Sequence, residues 1–446
     1  MTKKVHFIAI GGAAMHNIAI DMHQLGYEVT GSDDEIYEPS LSRLKENGIL
    51  PEKMGWFPEK VSSALEFIVL GMHAKKDNPE LLKALQTGVP VYSYPELVYK
   101  LSLTKKRVVV AGSHGKTTIT SMILHVLSKC NIDFDYLVGA QIHGFKNMVK
   151  ISDAPLIVLE GDEYLSSPID LRPKIHHYHP HITVLTGIAW DHINVFPVYE
   201  DYKKVFVTYL NKLEKNALAI YNHEDEEVRS VIQMIKAEVK LIPYSTLKRV
   251  DYTDFIEYDG EKYKVSVIGN HNLSNLNAAM LVCKQLGISE KQFLSHISDF
   301  TGAAKRLQLI SENENRKIFL DFAHAPSKVK ATTKANKQWF GSKKLLAVFE
   351  LHTFSSLDVN FLPQYKNTLD DADEVIVFYS EHTLKMKNKP VLDKEFVKSS
   401  FHFPGMLVLT DKETLLEELN KTKYQNFNIL LMTSGTFDQM DLKKIQ

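Results

Sequence analysis

Apolar positions along the chain fall into two recurring patterns: short continuous runs bounded by glycine, and longer stretches that repeat every three to four residues. The first reads as buried strands of a parallel sheet, the second as amphipathic helices. Val5 to Ile10 is one such run, followed by a glycine turn, a helix from about Ala13 to Leu25 and a second strand ending near Asp33. Glu66 to Gly71 is a further strand. A helix and a short strand follow it, and Pro95 with the polar LSLTKK stretch reads as a linker. Strand signals recur at Arg107 to Ala111, Leu156 to Leu159 and Ile182 to Leu185, then in IFLD, LLAVFE, DEVIVFY and NILLMTSG, with helical spacing between them. This alternation predicts an α/β protein. Residues 241–267 are short-stranded and polar and read as a small antiparallel insertion. The expected organisation is a Rossmann-like domain over 1–103, a central P-loop ATPase-like α/β domain over 104–300 and a second Rossmann-like α/β domain over 301–446.

Composition narrows the functional classes. Lys plus Arg number 53 and Asp plus Glu 54, so a net charge of -1 provides no global field to recruit nucleic acid or an anionic membrane. Acidic substrates must be met by local groups. Cys130 and Cys283 make no disulfide framework, and their apolar helical surroundings suit buried thiols in a reducing cytoplasm. The apolar run at the N-terminus is too short for a signal peptide, and no stretch reaches the roughly 18 apolar residues of a membrane span. A cytoplasmic monomer or homodimer is expected.

Chemistry concentrates in RVVVAGSHGKTTITSMILHVL, residues 107–127. A buried strand turns through Gly112, Ser113, His114 and Gly115 into a helix opening with Lys116, Thr117 and Thr118. Free backbone amides and the helix dipole favour a phosphate there, Lys116 supplies a point charge, and the Thr117 hydroxyl is placed for magnesium. The spacing is GxxGKT, shorter than the general P-loop, which has a further glycine where Val110 stands. Glu160 ends the next strand, at the edge where α/β proteins gather ligands, and is a plausible magnesium partner. Asp191-His192 follows the strand after that.

The opening GGAAM gives a second glycine turn before a helix, with Gly11, Gly12, Ala13, Ala14 and Met15 as candidate diphosphate-binding residues. Ala9 and Ala14 stand where a dinucleotide fingerprint has glycines, so their methyl groups are expected to press on the diphosphate. Asp33 lies where a ribose-binding acid belongs. His176, His177, His179 and His181 could ligate zinc, but Pro180 and the lack of a cysteine pair favour a partly exposed entry to a strand. Asn272 and Asn275 share one side of a helix start, suited to capping or to reading an adenine edge. Arg306 sits in a loop-to-strand passage where a guanidinium grips phosphate or forms a surface ion pair, and Asp321 ends a strand of the last domain.

Taken together, AGSHGKTT, EGDEY, AWDH, GNHNLSN, FTGAAKR and DFAHAP, in this order, resemble the Mur ligase family, the ATP-dependent amide-forming enzymes of peptidoglycan assembly. The resemblance implies an N-terminal UDP-sugar domain, a central ATPase domain and a C-terminal amino-substrate domain. Carried over by motif, Lys116 contacts ATP phosphates, Thr117 and Glu160 attend one magnesium ion and His192 a second, Asn272 and Asn275 bind the nucleotide, and Arg306 and Asp321 reach it from the third domain. The opening IAIGGAAMHNIA is similar to the subgroup that takes UDP-N-acetylmuramate itself. EGDEY with Arg172 looks closer to the recycling branch, which attaches L-alanyl-γ-D-glutamyl-meso-diaminopimelate. The branch attaching only L-alanine usually shows DES where this chain has Asp162-Glu163-Tyr164, and it is the alternative. An NAD-dependent oxidoreductase built on the first glycine turn, and a sensor that binds UDP-sugar and ATP without catalysis, are the rival classes.

Overall fold

A computed structural model describes residues 2–142, 144–250, 253–300, 302 and 307–445. By compactness the chain forms two units, the first comprising Met1–Ile188, Lys203–Tyr244 and Ala278–Phe293, the second Ala189–Tyr202, Ser245–Asn277 and Leu294–Gln446. Among the described residues no helix is long and apolar enough to cross a membrane.

The first unit carries two sheets. Strands β1 (Lys4–Ile8), β2 (Glu28–Ser32), β3 (Phe67–Leu70) and β4 (Val91–Ser93) are parallel in the order β2-β1-β3-β4. Helices α1 (Ala13–Gln24), α2 (Ser40–Glu46), α3 (Pro79–Thr87) and α4 (Tyr94–Leu101) accompany them. Here the structure corrects two expectations. The first strand stops at Ile8, because Ala9 already has a left-handed φ of 65° and starts the turn. Pro95 is not in a linker; it occupies the first turn of α4, where its missing N–H costs nothing.

The second sheet is built from β5 (Lys106–Ala111), β6 (Asp135–Leu137), β7 (Val149–Lys150), β8 (Leu156–Gly161), β9 (Ile182–Leu185), β10 (Leu218–Asn222) and β11 (Lys240–Tyr244), ordered β11-β10-β9-β5-β8-β6-β7. Only β7 runs antiparallel. Helices α5 (Lys116–Lys129), α6 (Tyr199–Asn211) and α7 (Glu226–Met234) follow its strands. β11 is the third correction: it pairs parallel with β10, so part of the supposed insertion belongs to the main sheet. The antiparallel piece is the hairpin of β12 (Phe255–Tyr258) and β13 (Glu261–Lys264).

After helices α8 (Asn270–Gln285) and α9 (Glu290–Ile297) comes the sheet of the second unit. It comprises β14 (Gln308–Glu312), β15 (Lys317–Asp321), β16 (Lys344–Glu350), β17 (Glu374–Phe378), β18 (Leu407–Leu409) and β19 (Phe427–Met432), ordered β14-β15-β19-β16-β17-β18. All but β14 are parallel. Helices α10 (Pro326–Trp339), α11 (Glu381–Met386), α12 (Lys394–Phe401) and α13 (Lys412–Leu419) cover it. Along β16 the side chains alternate: Leu345, Ala347 and Phe349 enter one apolar cluster, Leu346 and Val348 the other. Both faces are buried, which is why such strands read as unbroken apolar runs.

Within the first unit, α1 covers the exposed edge of the second sheet. Asn17 Oδ1 accepts from Met148 N at 3.1 Å and Asp21 Oδ2 from Ile151 N at 2.8 Å, two side chains one helical turn apart serving backbone on either flank of β7. Burial pushes the Asp21 carboxyl up to about 7 despite that bond, with Asp135 adding repulsion. The unfolded carboxyl loses its proton near pH 4, so the folded state forfeits stability as pH climbs from about 4 to 7. Asp21→Asn keeps an acceptor for Ile151 N and removes the charge. It is expected to be more stable than the parent at pH 8 by on the order of 1–3 kcal/mol, with the gap closing at pH 4. Thermal melts across that range check this; a variant less stable at pH 8 contradicts it.

Candidate functional site

Strand β5 delivers the chain to a turn that only glycine can make. Gly112 has φ 121°, and a Cβ there would collide with Thr186 Oγ1 and lie 2.9 Å from Gly187 O. The turn is pinned to the end of β9 by Thr186 N donating to Ala111 O at 3.0 Å and Ser113 N donating to Gly187 O at 2.9 Å. Gly115, at φ 82°, is the N-cap of α5 and offers no side chain to its amides. A helix N-terminus without a capping side chain attracts an anion.

Three sequence-predicted residues meet at this turn. Thr117 Oγ1 donates to Glu160 Oε1 at 2.6 Å, and the other oxygen of Glu160 accepts from Gly139 N at 2.6 Å. Glu160 reaches this place because β8 is in register with β5, Val110 opposite Glu160. Lys116 Nζ donates to Gly112 O at 2.5 Å and to Glu163 Oε2 at 2.7 Å. Burial alone would lower the lysine's pKa, but Glu163, Asp162 and Glu160 outweigh it and keep the ammonium charged. Thr117 and Glu160 are hard oxygen donors already in contact, a donor set that fits magnesium.

Sequence reasoning used Asp162, Glu163 and Tyr164 only to tell branches of the family apart and overlooked Lys174 and Tyr94, which complete the group behind this trio. Glu163 is 1% exposed. Asp162 Oδ2 accepts from Lys174 Nζ at 2.5 Å, and that ammonium lies 5.5 Å from the Tyr94 ring centre and 5.4 Å from that of Tyr164. Tyr94 comes from the start of α4, so the first sheet's layer contributes to the neighbourhood of the turn. Burial, then Asp162 and Glu160, push its phenol well above the ordinary range. The loop after β8 doubles back to make this cluster, Lys174 N donating to Tyr164 O and Ile175 N to Asp162 O. Three acids so soon after a strand end were the available signal. Arg172, singled out from sequence, instead pairs with Asp170 on the surface, and Lys174 is the basic residue beside the acids.

At the other glycine turn, Gly11 N donates to Asp33 Oδ2 at 2.7 Å, so the carboxylate assigned to a ribose also fixes the loop. Burial pushes Asp33 up to about 6. Gly12 caps α1 without a side chain, Ala13 is exposed, Ala14 half-buried, and Met15 buried. Ala9 does not press on this turn. Its methyl is buried against Gly71, where a Cβ would lie only 3.0 Å away.

The four histidines do not converge. His176 Nε2 bonds Val205 O, His177 is buried beside Asp170, His179 packs on Tyr99, and His181 Nδ1 accepts from Arg107 N. The Arg107 guanidinium gathers the carbonyls of Tyr178 and His179, and with His177 buried, His176 and His179 half-buried and His181 exposed the segment is the partly exposed entry to β9 that the sequence suggests.

In the second unit, His192 has a left-handed φ of 55° and its N–H donates to Asp191 Oδ1. Asp191 lies 3.8 Å from His324 Nε2 and 3.6 Å from Lys328 Nζ; burial would raise its pKa, but the His324 side chain and the Lys328 ammonium hold it well below the usual carboxylate range. Asn275 Nδ2 donates to Asn272 Oδ1, and Asn272 Nδ2 to Ile268 O. Asp321 accepts from Leu307 N and Ala323 N. Arg306 lies outside the described residues.

Comparison with known proteins bears on this site directly. Residues 4–106 match the model described as Mur ligase family, catalytic domain, and residues 110–283 the Mur ligase middle domain. The chain is 32% identical over 386 residues to UDP-N-acetylmuramate--L-alanine ligase of Sulfurihydrogenibium sp. (strain YO3AOP1), covering 84% of this chain and 82% of that one. It is 29% identical to the ligase of the same name from Carboxydothermus hydrogenoformans, over 98% of this chain and 95% of that one. Among solved structures, a murein peptide ligase from Psychrobacter arcticus superposes with a TM-score of 0.71 at 20% identity, covering 99% and 98% of the two chains. The UDP-N-acetylmuramate-alanine ligase MurC of Thermotoga maritima gives 0.70 at 20% identity, covering 98% and 96%. By motif, sequence similarity and fold, the chain belongs to the Mur ligase family of ATP-dependent, amide-forming ligases.

Proposed function

We propose that the protein uses ATP to activate the carboxylate of UDP-N-acetylmuramate and joins it to the α-amine of L-alanine. The observation that carries the ATP half is the contact of Thr117 with Glu160 beside Lys116 at the uncapped start of α5. The names of the curated relatives support the sugar acid and the amino acid. In this reading the carboxylate attacks the γ-phosphate, giving an acyl phosphate and ADP, and the amine then displaces phosphate. The barrier to the first step is repulsion among anionic oxygens. Lys116 and the amides of the turn offset it by fixed positive charge, needing no reorganisation as the transition state forms. Magnesium held by Thr117 and Glu160 would neutralise phosphate charge. His192, Asn272, Asn275, Asp321 and Arg306 keep the roles the family resemblance implies, and the first glycine turn, with Asp33, receives the UDP portion.

A second reading has the acceptor as the tripeptide L-alanyl-γ-D-glutamyl-meso-diaminopimelate. It is favoured by Tyr164, which stands where the alanine-adding branch usually has serine and whose ring faces the Lys174 ammonium. Both acceptors present the same L-alanyl amine. ADP release with UDP-N-acetylmuramate, magnesium ATP and a panel of L-alanine, dipeptide, tripeptide and tetrapeptide separates them: turnover with free L-alanine is expected, and turnover with the tripeptide alone selects the second reading. ADP release with none of them removes ligase activity from the proposal. In the same assay Lys116→Ala is expected to lose about 10²-fold or more in turnover while its melting temperature shows the fold intact, since one preorganised donor is worth that much.

A further inference from the structure

Resting on the ATP half of that reading, we propose that Arg43 is a positioning residue for Glu160: from α2 it holds the loop between β6 and β7 so that Gly139 keeps the carboxylate turned toward Thr117. Both Glu160 oxygens are engaged, one by the Thr117 hydroxyl and the other by Gly139 N, each at 2.6 Å. Thr117 is fixed by the first turn of α5. Gly139 is not fixed by the sheet, because β6 pairs with β8 only as far as Leu137 opposite Leu159. Its place therefore depends on the loop, residues 138–148. A Cβ on Gly139 would lie 3.1 Å from Glu160 Oε1, so the backbone runs close against the carboxylate.

Helices of the first sheet grip this loop near both ends. Arg43 Nη2 donates to Gln141 Oε1 at 2.7 Å, two residues beyond Gly139. Gln141 turns its amide nitrogen to Ile142 O and Phe145 O, which leaves the amide oxygen for the guanidinium. At the far end Met148 N donates to Asn17 Oδ1, and Arg43 Nη1 lies 3.5 Å from the same oxygen. α2 is itself tied to α1, since Ser40 Oγ and His16 Nδ1 are 3.0 Å apart. Arg43 is half-buried and both of these partners are neutral amide oxygens, so its charge strengthens the bonds that set the loop. A backbone donor that orients a metal-binding carboxylate matters nearly as much as the ligand, and disturbing such a partner weakens metal binding by about 10-fold or more. Arg43 acts one step further out, through Gln141 and the two residues that separate it from Glu160's donor.

Calorimetric titration of the full chain with AMP-PNP, first in EDTA and then in saturating magnesium, reads the effect without turnover. Arg43→Ala and Gln141→Ala are each expected to bind the nucleotide within about 2-fold of the parent in EDTA, while the tightening that magnesium brings falls about 10-fold. The magnesium needed for half-maximal ADP release should rise by a similar factor. Both substitutions remove one contact, so the double variant should lose no more than either alone. A magnesium gain equal to the parent's, equal losses with and without magnesium, or losses that add in the double variant overturn the assignment. Should Arg43→Ala fail to fold, Gln141→Ala decides by the same magnesium ratio. A parent whose affinity is indifferent to magnesium overturns the metal reading of Thr117 and Glu160, and this inference with it. A parent that shows the magnesium gain but releases no ADP with any acceptor overturns the ligase reading and leaves the Arg43 result standing.

Discussion

Everything at the central site depends on one steric constraint, the two left-handed glycines that let β5 turn into α5 against the end of β9. Gly112 admits no Cβ beside Thr186, and Gly115 leaves the amides of α5 without a side-chain cap. With the turn closed this tightly, Lys116 and Thr117 fall on the first turn of the helix, facing the carboxyl ends of β8 and β9. Parallel strands then bring the acids. β8 in register with β5 places Glu160 at Thr117, and two residues of overshoot place Asp162 and Glu163 behind it. Charge is assembled by backbone pairing rather than by side-chain flexibility, which suits a reaction whose barrier is electrostatic.

Strands buried on both faces, such as β5, β9 and β16, were legible because nothing but apolar residues fits between two helical layers. Edges were not. β11, with Pro243 and exposed side chains, carries too little apolar signal to be separated from the hairpin that follows it, and β18 is only three residues long. The GxxGKT turn and Glu160 could be read as a site because their spacing encodes a local geometry. Lys174 could not, since it joins Asp162 only after twelve residues have folded back on themselves. The histidine cluster could be read against a shared ligand because Pro180 and the missing cysteine pair argue for a strand entry, and Arg107 gathers the intervening carbonyls while the rings go to separate partners.

The alanine at position 9 shows that a motif position can serve packing in the sheet beneath the turn. A fingerprint treats that position as a place where a methyl group meets a diphosphate. In this chain the methyl points into the apolar layer of the first sheet with Ile8, Ile68 and Leu70. The strain of a left-handed alanine, on the order of 1–2 kcal/mol, is borne by backbone and packing there.

The cover that α1 places over β7 has a bearing on how the molecule could be dissected. Asn17 and Asp21 occupy backbone donors that would otherwise face water at the rim of a seven-stranded sheet. A fragment beginning near β5 would leave that rim bare, and an uncovered strand is a template for another chain. Such a fragment would self-associate, so the first hundred residues act as a guard against aggregation for the sheet beside them.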